Sequence, residues 1–369
     1  MANSTILVCT RWVAAMNGWM KRFALGQAGA KNPGHSSNEG GFRVLFHPSE
    51  KLITLIGGSG FVGRHVAQAL ARRGYRIRVA CRRPDLAGHV QPLGTPGQVM
   101  PVQANVRYPA SLAAVCEGAF AVVNLTGILY SSGAQSFEAV HVFGAEASAR
   151  AAKAARARLF IQLSALGASP NSSSDYAKSK AEGETRAKAA FPGTIIVRPS
   201  IIFGPEDSFF NRFAALSRFA PALPLIGGGD TKFAPVFAGD AAEAIARLID
   251  RGDADGTTYE FGGPQELTFK QLLQFTLDTV GRKRLLVPIP WAVAKLQAMI
   301  LGLLPRPLLT TDQVELLRSD NVVSDDAKRD RRTLEGLGIA PSGIEAIVPS
   351  YLYRYRKAGQ FTAPKGIPE

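Results

Sequence analysis

An α/β protein, with a doubly wound parallel sheet and a smaller, mostly helical C-terminal lobe, is the fold class the sequence predicts. Three observations carry that expectation. Short β-branched and leucine runs alternate with alanine-rich amphipathic stretches between residues 51 and 262, the pattern of successive βαβ units. A glycine turn, Gly57-Gly58-Ser59-Gly60-Phe61-Val62-Gly63, separates the first strand run from the first helix. The length of 369 residues leaves room for a second lobe beside one domain of ordinary size.

The elements follow in order. Residues 51–56 (KLITLI) suit a strand buried on both faces, and residues 64–73 an amphipathic helix. Strand, glycine turn and helix in this order form a pyrophosphate-binding turn. The glycines let the backbone bend tightly and approach the phosphates, and the helix N-terminus supplies N–H groups and positive potential. Gly57, Ser59, Gly60, Phe61, Val62 and Gly63 are therefore candidate cofactor contacts.

The second strand, 76–80, ends at Cys81-Arg82-Arg83-Pro84. An NAD site places an acid here for the ribose 2′-hydroxyl. Two arginines instead suit a 2′-phosphate, which their planar forks bind bidentately. Arg82 and Arg83 thus favour NADP(H) over NAD(H), the plainer alternative being an exposed basic turn. Residues 99–103 read as a third strand leading into Asn105 and Val106, and 121–125 as a fourth opening from Leu125 into Thr126 and Gly127. A long alanine-rich helix (136–156), a fifth strand (159–163) and a sixth (194–198) complete the alternation, with 234–240 and 258–262 returning to the main sheet. A dinucleotide should lie across the carboxyl ends of these strands.

Composition narrows the function classes. With 46% hydrophobic and 20% charged residues the chain is globular rather than disordered. No run of about 18 apolar residues predicts a spanning helix. Cys9, Cys81 and Cys116 are odd in number and scattered, and the five histidines lack ligand spacing, so neither a disulfide scaffold nor a metal site is expected. The formal charge of +14 favours anionic partners: a phosphorylated cofactor, acidic lipid or an acidic protein surface. Nucleic acid is not expected, because no nucleic-acid-binding motif accompanies the charge.

The organisation read from these patterns is an N-terminal extension (1–48), a nucleotide-binding Rossmann-like domain (49–208), a small-lobe segment (209–232), a return to the main domain (233–265) and a C-terminal lobe with tail (266–369). The extension has no acid before Glu39 but carries Arg11, Lys21, Arg22 and Lys31. A targeting peptide, a flexible extension and a misassigned start all fit it. Phe209, Phe210, Phe213 and Phe219 are expected in the core of the small lobe. Arg282-Lys283-Arg284 leads into an apolar stretch, 285–304, in which Pro288, Pro290 and Lys295 argue against a span. A membrane-surface or partner contact and a buried lobe helix both fit it. The tail from Tyr351 to Lys357 mixes aromatics and cations, as an interface or a solvated terminal helix would.

Gly57-x-x-Gly60-x-x-Gly63, Tyr176-Ala-Lys-Ser-Lys180 and Arg198-Pro-Ser-Ile-Ile-Phe-Gly204-Pro205 together resemble the extended or atypical short-chain dehydrogenases/reductases. More narrowly, the run 191–207 (FPGTIIVRPSIIFGPED), FFNRF at 209–213, SKAEGE at 179–184 and LTTDQVE at 309–315 resemble the nucleotide-binding accessory subunit of respiratory complex I, over residues 51–356. That resemblance implies tightly bound NADPH without assigned turnover and partners among complex I subunits. It also implies a peripheral place on the cytoplasmic face of a bacterial inner membrane or the matrix side of a mitochondrial one. It adds Pro199, Ser200 and Ile202 to the cofactor set.

In the superfamily the tyrosine exchanges a proton with the substrate oxygen. Tyr176 and Lys180, four residues apart, share a helical face, where the lysine favours phenolate and also reaches the nicotinamide ribose. Ser164, closing the fifth strand, is the third candidate. The family's Ser-Ser-x-x-Val-Tyr-Gly run is replaced here by Ser164-Ala-Leu166-Gly-Ala, so a shift of two residues would put Leu166 at the catalytic position. His141 stands where the family carries a structural asparagine. Ser172, Ser173 and Ser174 are local substitutes or simply a solvated loop. Three functions fit: an accessory or assembly subunit with structural NADP(H), an active NADP-dependent reductase or sugar-nucleotide epimerase/dehydratase, and an NADP(H)-sensing regulator.

Overall fold

The computed structural model of the chain describes residues 48–302, 307 and 309–357. All but the last residue of the extension expected at 1–48 lies outside them, as do Leu303 and Leu304 of the apolar stretch. The chain runs through β1 (Leu52–Ile56), α1 (Phe61–Arg72), β2 (Arg76–Cys81), β3 (Val99–Gln103), α2 (Pro109–Cys116) and β4 (Ala121–Asn124). It continues through α3 (Phe143–Ala154), β5 (Leu159–Leu163), α4 (Asp175–Ala190) and β6 (Ile195–Pro199). These strands and β11 (Thr258–Phe261) form a parallel sheet of order β11-β6-β5-β4-β1-β2-β3. The doubly wound expectation holds. The order reverses between β1 and β4, and the crevice at that switch point is where such sheets bind ligands.

Alternation along the strands sends side chains to two cores. Ile53, Leu55, Ala121, Val123, Leu159 and Ile161 pack with α1 and with α6 (Ala238–Arg251). Ile56, Val122 and Phe160 face α2 and α3 instead. Thr54 shares that second face and is fully buried, and its hydroxyl is satisfied by donating to Val115 O at 2.8 Å.

The smaller lobe draws on β7 (Ile202–Phe203), α5 (Phe210–Leu216), β8 (Ala222–Ile226), β9 (Lys232–Phe233), β10 (Val236–Phe237), β12 (Leu267–Thr268) and α7 (Phe269–Thr279). Phe203, Phe210, Phe233, Phe269, Leu272 and Leu273 form its core, with Phe209 and Phe213 packed against it. Phe219 is a correction: it is 82% exposed, beyond the end of α5, with the Arg218 guanidinium 5.5 Å from its ring. The expected return of 234–240 to the main sheet is a second correction. There β10 pairs with β7, and β9 with β12; Pro235 lies between β9 and β10 and has no N–H to continue a ladder. Tyr351 closes the lobe by donating to the buried Asp207 carboxylate at 2.5 Å.

The apolar stretch forms β13 (Leu285–Ile289), paired with β8, and α8 (Trp291–Leu301). Only Ala294 and Ala298 of α8 are buried, while Leu285, Leu296, Met299 and Ile300 lie exposed. A buried lobe helix is therefore not what forms. Among the described residues no helix is long and apolar enough to cross a membrane.

Candidate functional site

At the switch point β1 gives way to Gly57, whose φ of +79° only glycine adopts freely. Its N–H donates to Ala80 O at 2.8 Å, drawing the turn against β2. Gly63 allows the first turn of α1 to touch the loop: a Cβ there would lie 2.5 Å from Gly58 Cα. At Gly60, the N-cap of α1, a Cβ would meet only Gly57 O, at 3.3 Å. No side chain caps α1. An uncapped helix start behind an open glycine fits a pyrophosphate, since the first N–H groups need acceptors from outside the helix.

The loop leaving β4 lies alongside. Leu125 N–H donates to Ile56 O at 2.9 Å, and Thr126 Oγ1 donates to Asn124 Oδ1 at 2.6 Å. A Cβ on Gly127 would stand 3.3 Å from Lys180 Nζ and 3.8 Å from His141 Nε2, which brings the loop to the Tyr–Lys helix. His141 sits in a short π turn, Glu138–Val142, ahead of α3, where a continuous helix was expected. Its Nε2 accepts from Ile128 N–H at 3.0 Å, so Nδ1 carries the proton and donates to Ser179 Oγ at 2.9 Å. Ser179 in turn donates to Tyr176 O at 2.8 Å. Burial, then the Lys180 charge, push the imidazole down to about 2, so it is a neutral strut joining the β4 loop to α4.

Tyr176 is half-buried, its ring edge-on to Phe137 and His141. Burial, then the nearby Asp312 carboxylate, push its phenol up to about 12. Lys180 is buried, with Nζ donating to Leu163 O at 3.4 Å. Desolvation pulls its ammonium down to about 8 against the attraction of Glu184. Glu184 holds Arg198 with two bonds of 2.9 and 2.6 Å, tying the α4 motif to the β6 motif beneath the site. Ser164 is buried beside Leu163, and its Oγ has no partner among the described residues. Leu166, the alternative position, packs with Val323 and Ala327.

The other candidates are more dispersed. Asn105 Oδ1 accepts from Arg107 N–H, and Val106 packs under Gly144. Pro199 is buried at the end of β6; Ile202, in β7, is half-buried. Ser200 Oγ is engaged by the other lobe, donating to Asn321 Oδ1 at 2.7 Å. Arg82 donates to Gln135 Oε1 at 2.6 Å, while Arg83 is paired with Asp85 at 2.7 Å, both pairs exposed. Phe61 packs against Gly204, and Arg64 reaches Glu206 at 3.2 Å. Sequence reasoning missed Asp312 in α9 (Thr311–Leu316). The Thr310–Gln313 capping box marks that helix start, but nothing in the sequence marks its partner.

Fold and crevice are those of a doubly wound, Rossmann-like α/β protein. The chain belongs to the NAD dependent epimerase/dehydratase family, whose model matches residues 53–262. Within it the chain is homologous to mitochondrial complex I subunits. It is 35% identical over 320 residues to NADH dehydrogenase (ubiquinone) 1 alpha subcomplex subunit 9, mitochondrial, of Arabidopsis thaliana, covering 84% of this chain and 79% of that protein. It is also 31% identical over 247 residues, 65% of this chain and 74% of the other, to the ceramide reductase of Caulobacter vibrioides. The Citrobacter triphenylmethane reductase structure shares the fold, with a TM-score of 0.66 at 17% identity over 81% of this chain and 99% of that one.

Proposed function

We propose that this chain is an accessory subunit of respiratory complex I that binds NADP(H) as a structural cofactor. The likeness to the Arabidopsis subunit carries the reading, since it extends over 84% of this chain and so takes in the C-terminal lobe as well as the nucleotide domain. The β1–α1 turn and the N-terminus of α1 would take the pyrophosphate, and Arg82 and Arg83 the 2′-phosphate. The partners these arginines now hold are exposed and exchangeable, and a phosphate offers stronger charge-assisted bonds. Bound nicotinamide supplies hydride chemistry. Lys180 would hold its ribose, and a phenol kept neutral at Tyr176 would orient rather than drive proton transfer. Other complex I subunits are the partners, at the matrix or cytoplasmic face, with the exposed apolar side of α8 and the exposed Lys283 available for contact with protein or anionic lipid.

An NADP-dependent reductase is the second reading. The Ser164 hydroxyl, buried without a partner among the described residues and next in the chain to the Leu163 carbonyl that Lys180 reaches, favours it, as does the likeness to a reductase. Complex I assembly in cells carrying Tyr176→Phe or Gly60→Val separates the two. A structural cofactor predicts near-normal assembly with Tyr176→Phe and defective assembly with Gly60→Val. Equal defects would favour an obligatory chemical step.

A further inference from the structure

The first N–H groups of a helix have no acceptor within it. In α4, the helix that carries Tyr176 and Lys180, those groups are satisfied in two ways. Ser174, the N-cap, accepts from Ala177 N–H at 3.2 Å. The N–H groups of Asp175 and Tyr176 turn instead to Asp312, at 2.6 Å and 3.3 Å. Ser174 Oγ also donates to the same carboxylate at 3.0 Å, so cap and carboxylate form one unit. A negative charge at this end of a helix is further stabilised by the helix dipole.

Asp312 comes from the other lobe. Its helix is held by Val314, buried with Ile226, Ala294 and Ala298, and by Glu315, whose carboxylate pairs with Lys295 of α8 at 3.4 Å. Further along, Asn321 donates to Leu166 O at 3.4 Å and accepts from Ser200. The chain through these residues thus grips the ends of β5 and β6 and the start of α4, all on the carboxyl edge of the sheet.

We propose that Asp312 is a positioning residue of the nucleotide site: by holding the first turn of α4 it sets Tyr176 and Lys180 against the nicotinamide half of a bound dinucleotide. The proposal rests on the nucleotide-binding reading above. The adenosine half would lie on the β1–α1 turn and the end of β2, which Asp312 does not touch. The two halves of the ligand therefore depend on different lobes.

Calorimetric titration of the full chain with NADPH and with adenosine 2′,5′-bisphosphate tests this. Asp312→Leu should weaken NADPH about tenfold, within the usual range of coupling between linked sites, and leave the bisphosphate within about twofold. Asp312→Asn, which keeps an acceptor oxygen, should weaken NADPH less, and Ser174→Ala should act in the same direction. Equal weakening of both ligands would mean a merely structural role and overturn the proposal; so would unchanged NADPH affinity. If Asp312→Leu does not fold, Asp312→Asn and Ser174→Ala decide by the same criteria. A wild-type chain that binds neither ligand would refute the nucleotide reading itself, and this proposal with it.

Discussion

Two glycines of the β1–α1 turn are expected to fail in opposite ways when given side chains. At Gly63 a new Cβ would lie 2.5 Å from the Cα and O of Gly58 and 2.6 Å from its C. All three are backbone atoms, so no rotamer change relieves the clash, and loop and helix must separate. Overpacking of a close-packed interior costs about 1–3 kcal/mol, and Gly63→Ala belongs at the upper end. Gly60 has φ −76° and ψ −179°, an extended conformation open to any residue, and its Cβ would meet only Gly57 O. Gly60→Val should therefore cost the fold only about 1 kcal/mol, the loss of a good N-cap residue. Its methyl groups would occupy the pyrophosphate approach, and NADPH affinity should fall by at least about a hundredfold, or ~3 kcal/mol. Urea unfolding reads the first quantity and NADPH fluorescence titration of folded protein the second. Gly63→Ala at wild-type stability would refute the packing argument. Gly60→Val with wild-type affinity would refute the phosphate-binding role of the turn.

Replacing Arg82 and Arg83 together by alanine should weaken NADPH by about 2 kcal/mol and spare NADH; equal losses in parallel titrations would remove the argument for the 2′-phosphate. Lys180, drawn down to about 8 by burial, would gain the ribose hydroxyls as acceptors when a dinucleotide binds, which raises its pKa. Binding then takes up a proton as pH passes through the free chain's value. NADPH affinity should be full below about pH 8 and fall above it by up to about tenfold per pH unit, until the bound-state pKa is reached. Lys180→Met should flatten that profile. Glu184→Ala leaves Arg198 half-buried without its bidentate carboxylate and should cost about 3 kcal/mol in denaturant unfolding, whereas deleting the exposed Asp85 should leave the unfolding midpoint unchanged.

The nucleotide half of the fold was legible because its signals are local. Runs such as residues 53–56 and 121–124 are buried along their length, and parallel strands buried on both faces read as continuous apolar segments. The two-residue strands β7, β9, β10 and β12 have no period to detect, so their pairing followed from tertiary context alone. Phe219 was misplaced because residue type says nothing about whether a turn beyond a helix end points inward. The sequence marked His141 as unusual, but its role appears only when Ile128 and Ser179 are brought to its two nitrogens. Asp312 was harder still. It lies 136 positions from Tyr176, and an acid in the first turn of a capped helix ordinarily serves its own helix.

Native mass spectrometry of complex I, isolated from the organism that makes this chain, bears most directly on the central claim. A structural NADP(H)-binding subunit predicts the chain at one copy per complex, with one NADP(H) retained through purification. Finding the chain only outside the complex, or within it without any nucleotide, would contradict the account.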